Sequence, residues 1–224
     1  SADAFGKFGA LNAQEPWDDE AARYYFNIVG KFGMPVQTVL KKAAALDIQI
    51  ICPLHGPVLK ENLSYYLDKY NIWSSYAPEK EGVFIAFASL HGNTAGAAGK
   101  LAEILREKGC PEAATLDLAR DDMADALAKA FRYGKIVLAA SSYNGGVMPY
   151  MEFFLHCLKG KNFQKRQVAL IENGSWAPSA KKTMTDILSQ MNGITITEPS
   201  VTIRGAVKEE NIKELEALAD ELMK

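Results

Sequence analysis

The chain has 224 residues, of which 48% are hydrophobic, and this is enough to bury one full core and part of a second. Its 25 basic and 27 acidic residues are interspersed and give a formal charge of −2, so neither nucleic acid nor an anionic membrane is an expected partner. The apolar runs are far shorter than the ~20 residues of a membrane span. Three widely separated cysteines, Cys52, Cys110 and Cys157, favour reduced thiols and a cytoplasmic protein.

The first part of the chain has an irregular pattern. It starts at Ser1 without an N-terminal signature, and we expect it to be part of a longer polypeptide. One apolar strand is predicted at 48–52, and a lone strand cannot satisfy its own backbone edges, so it needs sheet partners that the chain does not visibly contain. The polar segment 71–82 is predicted to be a linker. Helices are predicted at 18–32, 36–45 and 60–70.

From residue 83 onwards strands and helices alternate regularly. Five β–α units predict an α/β fold with a doubly wound, five-stranded parallel sheet in the flavodoxin-like order. In that order ligands bind beyond the carboxyl ends of the strands, at the switch point between the first and third strands. The ligand loops are therefore expected after residues 88, 140 and 171. The predicted strands are 83–88, 114–118, 136–140, 167–172 and 194–203, and the predicted helices are 95–108, 122–133, 149–159, 177–191 and 208–224.

The first of these loops is a candidate phosphate-binding loop. It joins an apolar strand to an amphipathic helix, whose first backbone N–H groups and positive dipole end can hold a dianion. The turn contains no Lys or Arg, and it matches neither the P-loop nor the dinucleotide pattern. Flavodoxin-like domains use a hydroxyl-rich loop without cations, after the first strand, for the phosphate of flavin mononucleotide (FMN), and this loop resembles them in that respect. The structural alternative is an ordinary helix-capping turn. The candidate residues are Ser89, Leu90, His91, Gly92, Asn93 and Thr94.

The second and third loops are candidates for binding a flat heterocycle. Backbone groups at Gly145 and Gly146 could bond the edge of an isoalloxazine ring, while Tyr143 packs on its face. Trp176 in the third loop would cover the ring or fill a gap under its loop. A plain solvated loop is the alternative. The candidate residues are Ser141, Ser142, Tyr143, Asn144, Gly145 and Gly146 in the second loop and Asn173, Gly174, Ser175 and Trp176 in the third.

Asp3 and His55 are candidate metal ligands. His55 lies between two prolines just past the predicted strand 48–52, a rigid position typical of ligands at the rim of a sheet. Two ligands are too few for a closed site, because transition metals take roughly four to six, so structural roles are the alternative. Cys52 falls within the apolar alternation of the strand and is predicted to be core rather than a zinc ligand.

Several stretches resemble the flavodiiron proteins, or A-type flavoproteins. They are Ser-Ala-Asp3-Ala-Phe-Gly-Lys-Phe-Gly, Cys52-Pro-Leu-His55-Gly-Pro, Trp73-Ser, Ser89-Leu-His-Gly-Asn-Thr94 and Glu172-Asn-Gly-Ser-Trp-Ala-Pro178. In that family a metallo-β-lactamase-like domain with two non-haem irons precedes a flavodoxin-like domain with FMN, and the protein reduces oxygen or nitric oxide. The resemblance implies that Asp3 is the bridging carboxylate and His55 the last histidine ligand. The family's other ligands, a His-x-Glu-x-Asp-His motif and a further histidine, lie upstream of the Asp3 position and are absent from this chain.

The resemblance therefore implies a C-terminal piece of such a protein. Residues 1–76 would be a partial metallo-β-lactamase-like αββα domain, and residues 80–224 an FMN-binding flavodoxin-like domain. This oxidoreductase would pass electrons from a rubredoxin-like donor or a reductase through FMN to a diiron centre that the chain alone cannot complete. The missing N-terminal half or a companion chain would supply the remaining ligands, and the full protein would be a homo-oligomer.

Two other functions remain open from the sequence. One is an NAD(P)H-dependent FMN or quinone reductase of flavodoxin-like fold, which would do hydride chemistry on its own. The other is a non-enzymatic binding or assembly module. A visible flavin spectrum separates the last from the others, and rapid bleaching by NADPH alone would favour the reductase. No catalytic residue is assigned.

Overall fold

The computed structural model describes residues 2–9 and 14–224. Its strands are β1 (Lys80–Ala88), β2 (Ala113–Asp117), β3 (Tyr133–Tyr143), β4 (Gly146–Val147), β5 (Arg166–Asn173), β6 (Ile194–Ile196) and β7 (Val201–Ile203). Its α-helices are α1 (Trp17–Ile28), α2 (Gly33–Ala43), α3 (Leu63–Ser74), α4 (Asn93–Glu107), α5 (Met123–Arg132), α6 (Pro149–Gly160), α7 (Ala180–Leu188) and α8 (Glu209–Leu222). No helix in this part of the chain combines the length and apolar character that a membrane crossing requires.

The sheet confirms the predicted fold class. Its strands β2-β1-β3-β5 lie side by side in this order and pair in parallel, and β6 and β7 both pair in parallel with β5. This is the flavodoxin-like order. The short β4 pairs antiparallel with β3. The predicted last strand, 194–203, is present as two short pieces, because β6 pairs with the start of β5 and β7 with its end.

Alternate residues of the central strands enter two separate cores. Val83, Ile85 and Val137 face one core with α4 and α8, whereas Phe84 and Ile136 face the other with α5, α6 and α7. Both faces of the central strands are therefore buried, which explains why these strands read as continuous apolar runs in the sequence. Helices α1 and α3 add their aromatic side chains to the second core.

Segment 48–52 is not a strand, which corrects the sequence-based prediction. Among the described residues it makes an isolated antiparallel bridge between Ile51 and Leu59. Ile50 is 51% exposed, and Cys52 is exposed rather than part of the core. The apolar alternation of this segment lacks the neighbouring strands that would bury it, because a strand is stabilised by its neighbours and not by its own pattern.

Segment 71–82 is not an exposed linker either. Helix α3 runs to Ser74, and Trp73, Ser74 and Tyr76 are buried. The Glu79 carboxylate is 3% exposed, pairs with Arg132 and accepts a hydrogen bond from Trp73 Nε1 at 2.8 Å. Polar composition indicated a solvated segment, but a carboxylate with such partners can be buried. The domain boundaries 1–76 and 80–224 stay a prediction.

Candidate functional site

A cleft of about 510 Å³ lies at the carboxyl ends of β1, β3 and β5. The loops after these three strands line it, at the place that the switch-point rule predicts. All sixteen candidate residues of the three loops line the cleft except Ser89, Gly92 and Gly146. The lining also contains Ala177, Ser179 and Gly205, which the sequence-based prediction missed. No lysine, arginine or acidic side chain is among its described lining residues.

The first loop leaves a helix N-terminus open to the cleft. Helix α4 starts at Asn93, after Gly92 in a left-handed conformation with φ of 86°, and no side chain caps it among the described residues. The Ser89 hydroxyl, buried behind the lining, accepts a hydrogen bond from the Gly92 N–H at 3.1 Å and fixes the turn. Asn93 and Thr94 line the cleft directly, and His91 is exposed at its edge. The first-turn N–H groups of α4 are thus placed to bind an anion.

The second helix N-terminus beside the cleft is satisfied by protein groups. At the start of α7, the Ser142 hydroxyl accepts hydrogen bonds from the N–H groups of Ser179 at 2.8 Å and Ala180 at 3.3 Å. The buried Glu172 carboxylate accepts another from the Lys181 N–H at 2.9 Å. Because these groups occupy the N–H donors of α7, an anion in the cleft is expected at α4 rather than at α7.

Two hydroxyl groups connect the first loop to the second. Thr94 is only 1% exposed, and its Oγ1 lies 2.8 Å from the Oγ of Ser141. Only one of the two hydroxyls can donate in this pair, so the other keeps its proton for a further acceptor. The pair therefore offers one hydroxyl donor beside the open N-terminus of α4.

The second loop is a tight hairpin rather than a flexible glycine loop. Tyr143 pairs with Gly146 in the β3–β4 ladder, and the turn residues Asn144 and Gly145 have φ values of 48° and 74°. Two left-handed residues in a two-residue turn are what Asn-Gly favours, so this dipeptide was the signal that could have predicted the hairpin. The Ser179 hydroxyl donates to the Gly146 carbonyl at 2.8 Å and holds the hairpin in place.

The third loop passes closely over the second. A Cβ at Gly174 would lie 2.9 Å from the Ser142 Oγ, so only glycine permits this approach. Trp176 lines the cleft but is 86% exposed, so it does not fill a gap under its own loop. Its indole and the Tyr143 ring, which is 43% exposed, stand at the cleft with large solvent-facing surfaces.

Gly205, in the loop after β7, reaches the cleft through an amide contact. The Asn173 side chain donates to the Gly205 carbonyl at 2.9 Å and accepts from the Gly205 N–H at 3.1 Å. The switch-point rule concerns only the central strands, and therefore it could not identify this fourth loop. Asn173 is 8% exposed, and its side chain is engaged in this contact.

Asp3 and His55 both belong to the N-terminal part of the chain, and their side chains lie close together. The Asp3 Oδ1 is 3.6 Å from the His55 Nε2, and both side chains are more than half exposed. Backbone contacts hold the two segments together, because Lys7 N–H donates to the His55 carbonyl at 2.9 Å and a Cβ at Gly6 would lie 2.8 Å from the same oxygen. Tyr24 donates its phenol hydrogen to Asp3 Oδ1 at 3.3 Å. Burial and the neighbouring Asp3 raise the pKa of Tyr24.

The two candidate ligands do not make a metal site by themselves. Among residues 2–9 and 14–224 there is no group of three or more histidine, cysteine, aspartate or glutamate side chains that could hold a metal ion. Asp3 and His55 therefore fit part of a metal centre at most, and a complete one needs ligands beyond them.

The fold and the cleft define a flavodoxin-like α/β protein. No model of a known protein family matches the chain. The chain is 25% identical over 222 residues to the uncharacterized protein MJ0732 of Methanocaldococcus jannaschii. The aligned region covers 95% of this chain and 55% of that protein. It is also 25% identical over 161 residues to the anaerobic nitric oxide reductase flavorubredoxin of Vibrio vulnificus, which covers 70% of this chain and 32% of the relative.

The comparison with solved structures gives the same result as the comparison of sequences. The flavodiiron protein of Giardia intestinalis matches with a TM-score of 0.89 and 20% identity over 99% of this chain and 56% of that one. Flavodiiron proteins are among the named relatives and the structural neighbours of the chain, which confirms the resemblance seen in the sequence motifs. The chain spans about half the length of the first curated relatives that it matches.

Proposed function

We propose that this chain is the FMN-binding, electron-transferring part of a flavodiiron oxygen or nitric oxide reductase. The observation that carries the proposal is the cleft at the switch point, where the open N-terminus of α4 faces an uncharged, loop-lined space. A phosphate at the N-terminus of α4 would receive backbone N–H donors and the positive end of the helix dipole. The hydroxyl pair of Thr94 and Ser141 would add a donor beside it.

The rest of the cleft fits the ring of FMN. The Asn144-Gly145 turn presents backbone groups at the rim, where they can bond the edge of a heterocycle, and Tyr143 and Trp176 offer aromatic faces. FMN bound there would supply one- and two-electron transfer. The aromatic side chains would exclude water from the ring, and the contacts of Ser142 and Ser179 would keep the loops in their binding conformation.

The diiron part of the activity needs groups outside this chain. Asp3 and His55 would be two of the ligands, and we propose that an upstream half of the polypeptide or a companion chain supplies the others. A small donor of the rubredoxin type fits the name of the flavorubredoxin relative. We also propose that the full protein is a homo-oligomer. A cytoplasmic location agrees with the three cysteines, which lie far apart in the sequence.

Titration of the flavin-free chain with FMN, riboflavin and FAD tests the cofactor. FMN should bind in a one-to-one ratio, and riboflavin should bind more weakly because it lacks the phosphate. FAD should also bind more weakly, because its pyrophosphate is not a terminal dianion and its adenosine has no dinucleotide pattern to bind it. Equal affinities for FMN and riboflavin would contradict a phosphate site at α4. Rapid bleaching of the bound flavin by NADPH alone would indicate the NAD(P)H-dependent reductase instead.

Metal analysis tests the proposal that the diiron centre needs groups outside this chain. The purified chain should be yellow and poor in iron, and it should not turn over oxygen or nitric oxide faster than free FMN. Adding the upstream half of the protein should restore both metal content and turnover. Two irons per chain, in a sample shown by mass spectrometry to contain only these 224 residues, would contradict the proposal.

A further inference from the structure

The loop between β7 and α8, residues 204–208, forms a side of the cleft that the switch-point rule does not explain. Val201 and Ile203 of β7 are buried in the core that also holds α4 and α8, and α8 packs against α4. Both helices follow strands of one parallel sheet, so they begin at the same edge of it. Gly205 lines the cleft from this loop. A ligand with its phosphate at α4 therefore has loop 204–208 beside it.

Asn173 holds loop 204–208 in place. Its side chain donates to the Gly205 carbonyl at 2.9 Å and accepts from the Gly205 N–H at 3.1 Å, and the Gly174 N–H donates to the Ile203 carbonyl at 3.0 Å. Gly205 has a φ of 86°, in the left-handed region that favours glycine. Because its N–H is already bonded, Gly205 offers no free donor to a phosphate. Gly205 is therefore a wall of the cleft and not a phosphate-binding group.

The first turn of α8 fixes the far end of the loop. The Lys208 N–H donates to Asn211 Oδ1 at 3.1 Å, and the Asn211 N–H donates to the Lys208 carbonyl at 3.0 Å. Between them, Glu209 and Glu210 place two carboxylates in the first turn of the helix. Acidic side chains at this position already compensate the positive end of the helix dipole, and they repel a second anion. The N-terminus of α8 is therefore unsuited to a phosphate.

The helices that follow β1, β5 and β7 differ in what their first turns offer to an anion. Helix α4 faces the cleft without a side-chain cap from the described residues. The first N–H groups of α7 are bonded to Ser142 and Glu172, and α8 starts with two carboxylates. A terminal phosphate needs one open helix N-terminus, whereas a dinucleotide needs donors for a second phosphate and room for the adenosine beyond it. Of these three helices, α4 provides for one phosphate, and the other two do not provide for a second.

We propose that Asn173 determines the specificity of the cleft, by holding loop 204–208 as a wall that admits a flavin with one terminal phosphate and excludes a dinucleotide such as FAD. This role of Asn173 rests on the proposed FMN-binding function of the cleft. Asn173 is a positioning residue, because its side chain acts through Gly205 and both of its polar atoms are engaged there. Without the amide, the loop loses both contacts and can move away from the cleft, so a larger ligand gains access.

Paired titrations test the role of Asn173. The flavin-free chain is titrated with FMN and with FAD, and flavin fluorescence gives the ratio of the two dissociation constants. In Asn173→Ala the preference for FMN should fall by roughly 5- to 30-fold, the factor that corresponds to one or two net hydrogen bonds holding the wall. A loss of stability alone would weaken both ligands alike and leave the ratio unchanged.

Asn27→Ala is the matched control for Asn173→Ala. The Asn27 amide also makes two hydrogen bonds to the backbone, to the carbonyls of Arg23 at 2.8 Å and Ala124 at 3.0 Å, and Asn27 is absent from the described lining of the cleft. Its removal should leave the ratio of the FAD and FMN dissociation constants unchanged.

Hydrogen exchange provides a second measurement, on the unsubstituted chain, which does not depend on whether Asn173→Ala folds. With saturating FMN, the amides of loop 204–208 should be at least as protected as in the flavin-free chain. With saturating FAD they should exchange faster, because the dinucleotide can enter only when the wall opens. The amides of α1, a helix that contributes no residue to the described lining, are the internal reference.

Two results would overturn the specificity role of Asn173. One is a ratio of FAD to FMN dissociation constants that is the same in Asn173→Ala and in the parent chain, including the case in which the parent shows no preference. The other is equal exchange of loop 204–208 with the two flavins. A parent chain that binds no FMN would contradict the proposed function instead, so the two failures can be told apart.

Discussion

Thr94 gives a direct measure of the phosphate site, through the substitution Thr94→Val. Valine keeps the shape of the side chain and removes the hydroxyl. Thr94 is 1% exposed, and its hydroxyl lies 2.8 Å from Ser141 Oγ, beside the open N-terminus of α4. A hydrogen bond to a charged group contributes about 1.5–3 kcal/mol, so FMN affinity should fall roughly 10- to 150-fold. This loss of affinity is expected for a flavin that carries the phosphate and not for one that lacks it.

The assay compares two ligands and two variants. FMN and riboflavin titrations, followed by flavin fluorescence, should show a large loss for FMN and a small one for riboflavin in Thr94→Val. Thr197→Val is the matched control, since Thr197 is a buried threonine that is absent from the described lining of the cleft. Unchanged FMN affinity in Thr94→Val, or an equal loss for riboflavin, would refute the placement of the phosphate.

Three further predictions concern the loops and the contact between α1 and α5. Ser142→Ala removes the acceptor for two N–H groups of α7, so we expect a loss of about 0.5–2 kcal/mol in unfolding free energy and weaker FMN binding, measured by urea unfolding and titration. The double variant Tyr143→Ala, Trp176→Ala should make bound FMN more fluorescent, and equally dark FMN would place the ring elsewhere. Burial opposes the ionisation of Asp122, but backbone N–H groups and Arg23 outweigh it and lower its pKa. This carboxylate therefore stabilises the fold above its unfolded pKa of about 3.9, and the stability gap between the parent and Asp122→Ala should close as pH falls below that value, with a constant gap arguing against the assignment.

The α/β unit could be predicted because its signals are local. Strands β1, β2, β3 and β5 are predicted as short runs that alternate with helices carrying one apolar stripe, and this alternation leaves few possible topologies. The topology then brings three loops to one edge of the sheet without any knowledge of side-chain contacts. Gly205 was missed because the Asn173 amide contact that holds it beside the cleft joins two loops and leaves no periodic signal.

The N-terminal part was less predictable because its structure depends on distant partners. The apolar alternation of 48–52 predicted a strand, yet alternation shows only which side chains a strand would bury and not whether neighbouring strands exist. The polar residues of 71–82 predicted a linker, although Glu79 is buried against Arg132, which is 53 residues away.

The same long-range contacts decide how the two parts of the chain are joined. Arg132, at the end of α5, pairs with Glu79 after α3 and with Asp19 of α1 at 2.6 Å. Burial disfavours the charged guanidinium, but these two carboxylates outweigh that cost and raise the pKa of Arg132. The buried pair of Arg132 and Glu79 favours this arrangement, because separating the two would leave a buried charge without its partner. The N-terminal helices and the α/β unit therefore share one packed interface, and a flexible connection between them does not describe this chain.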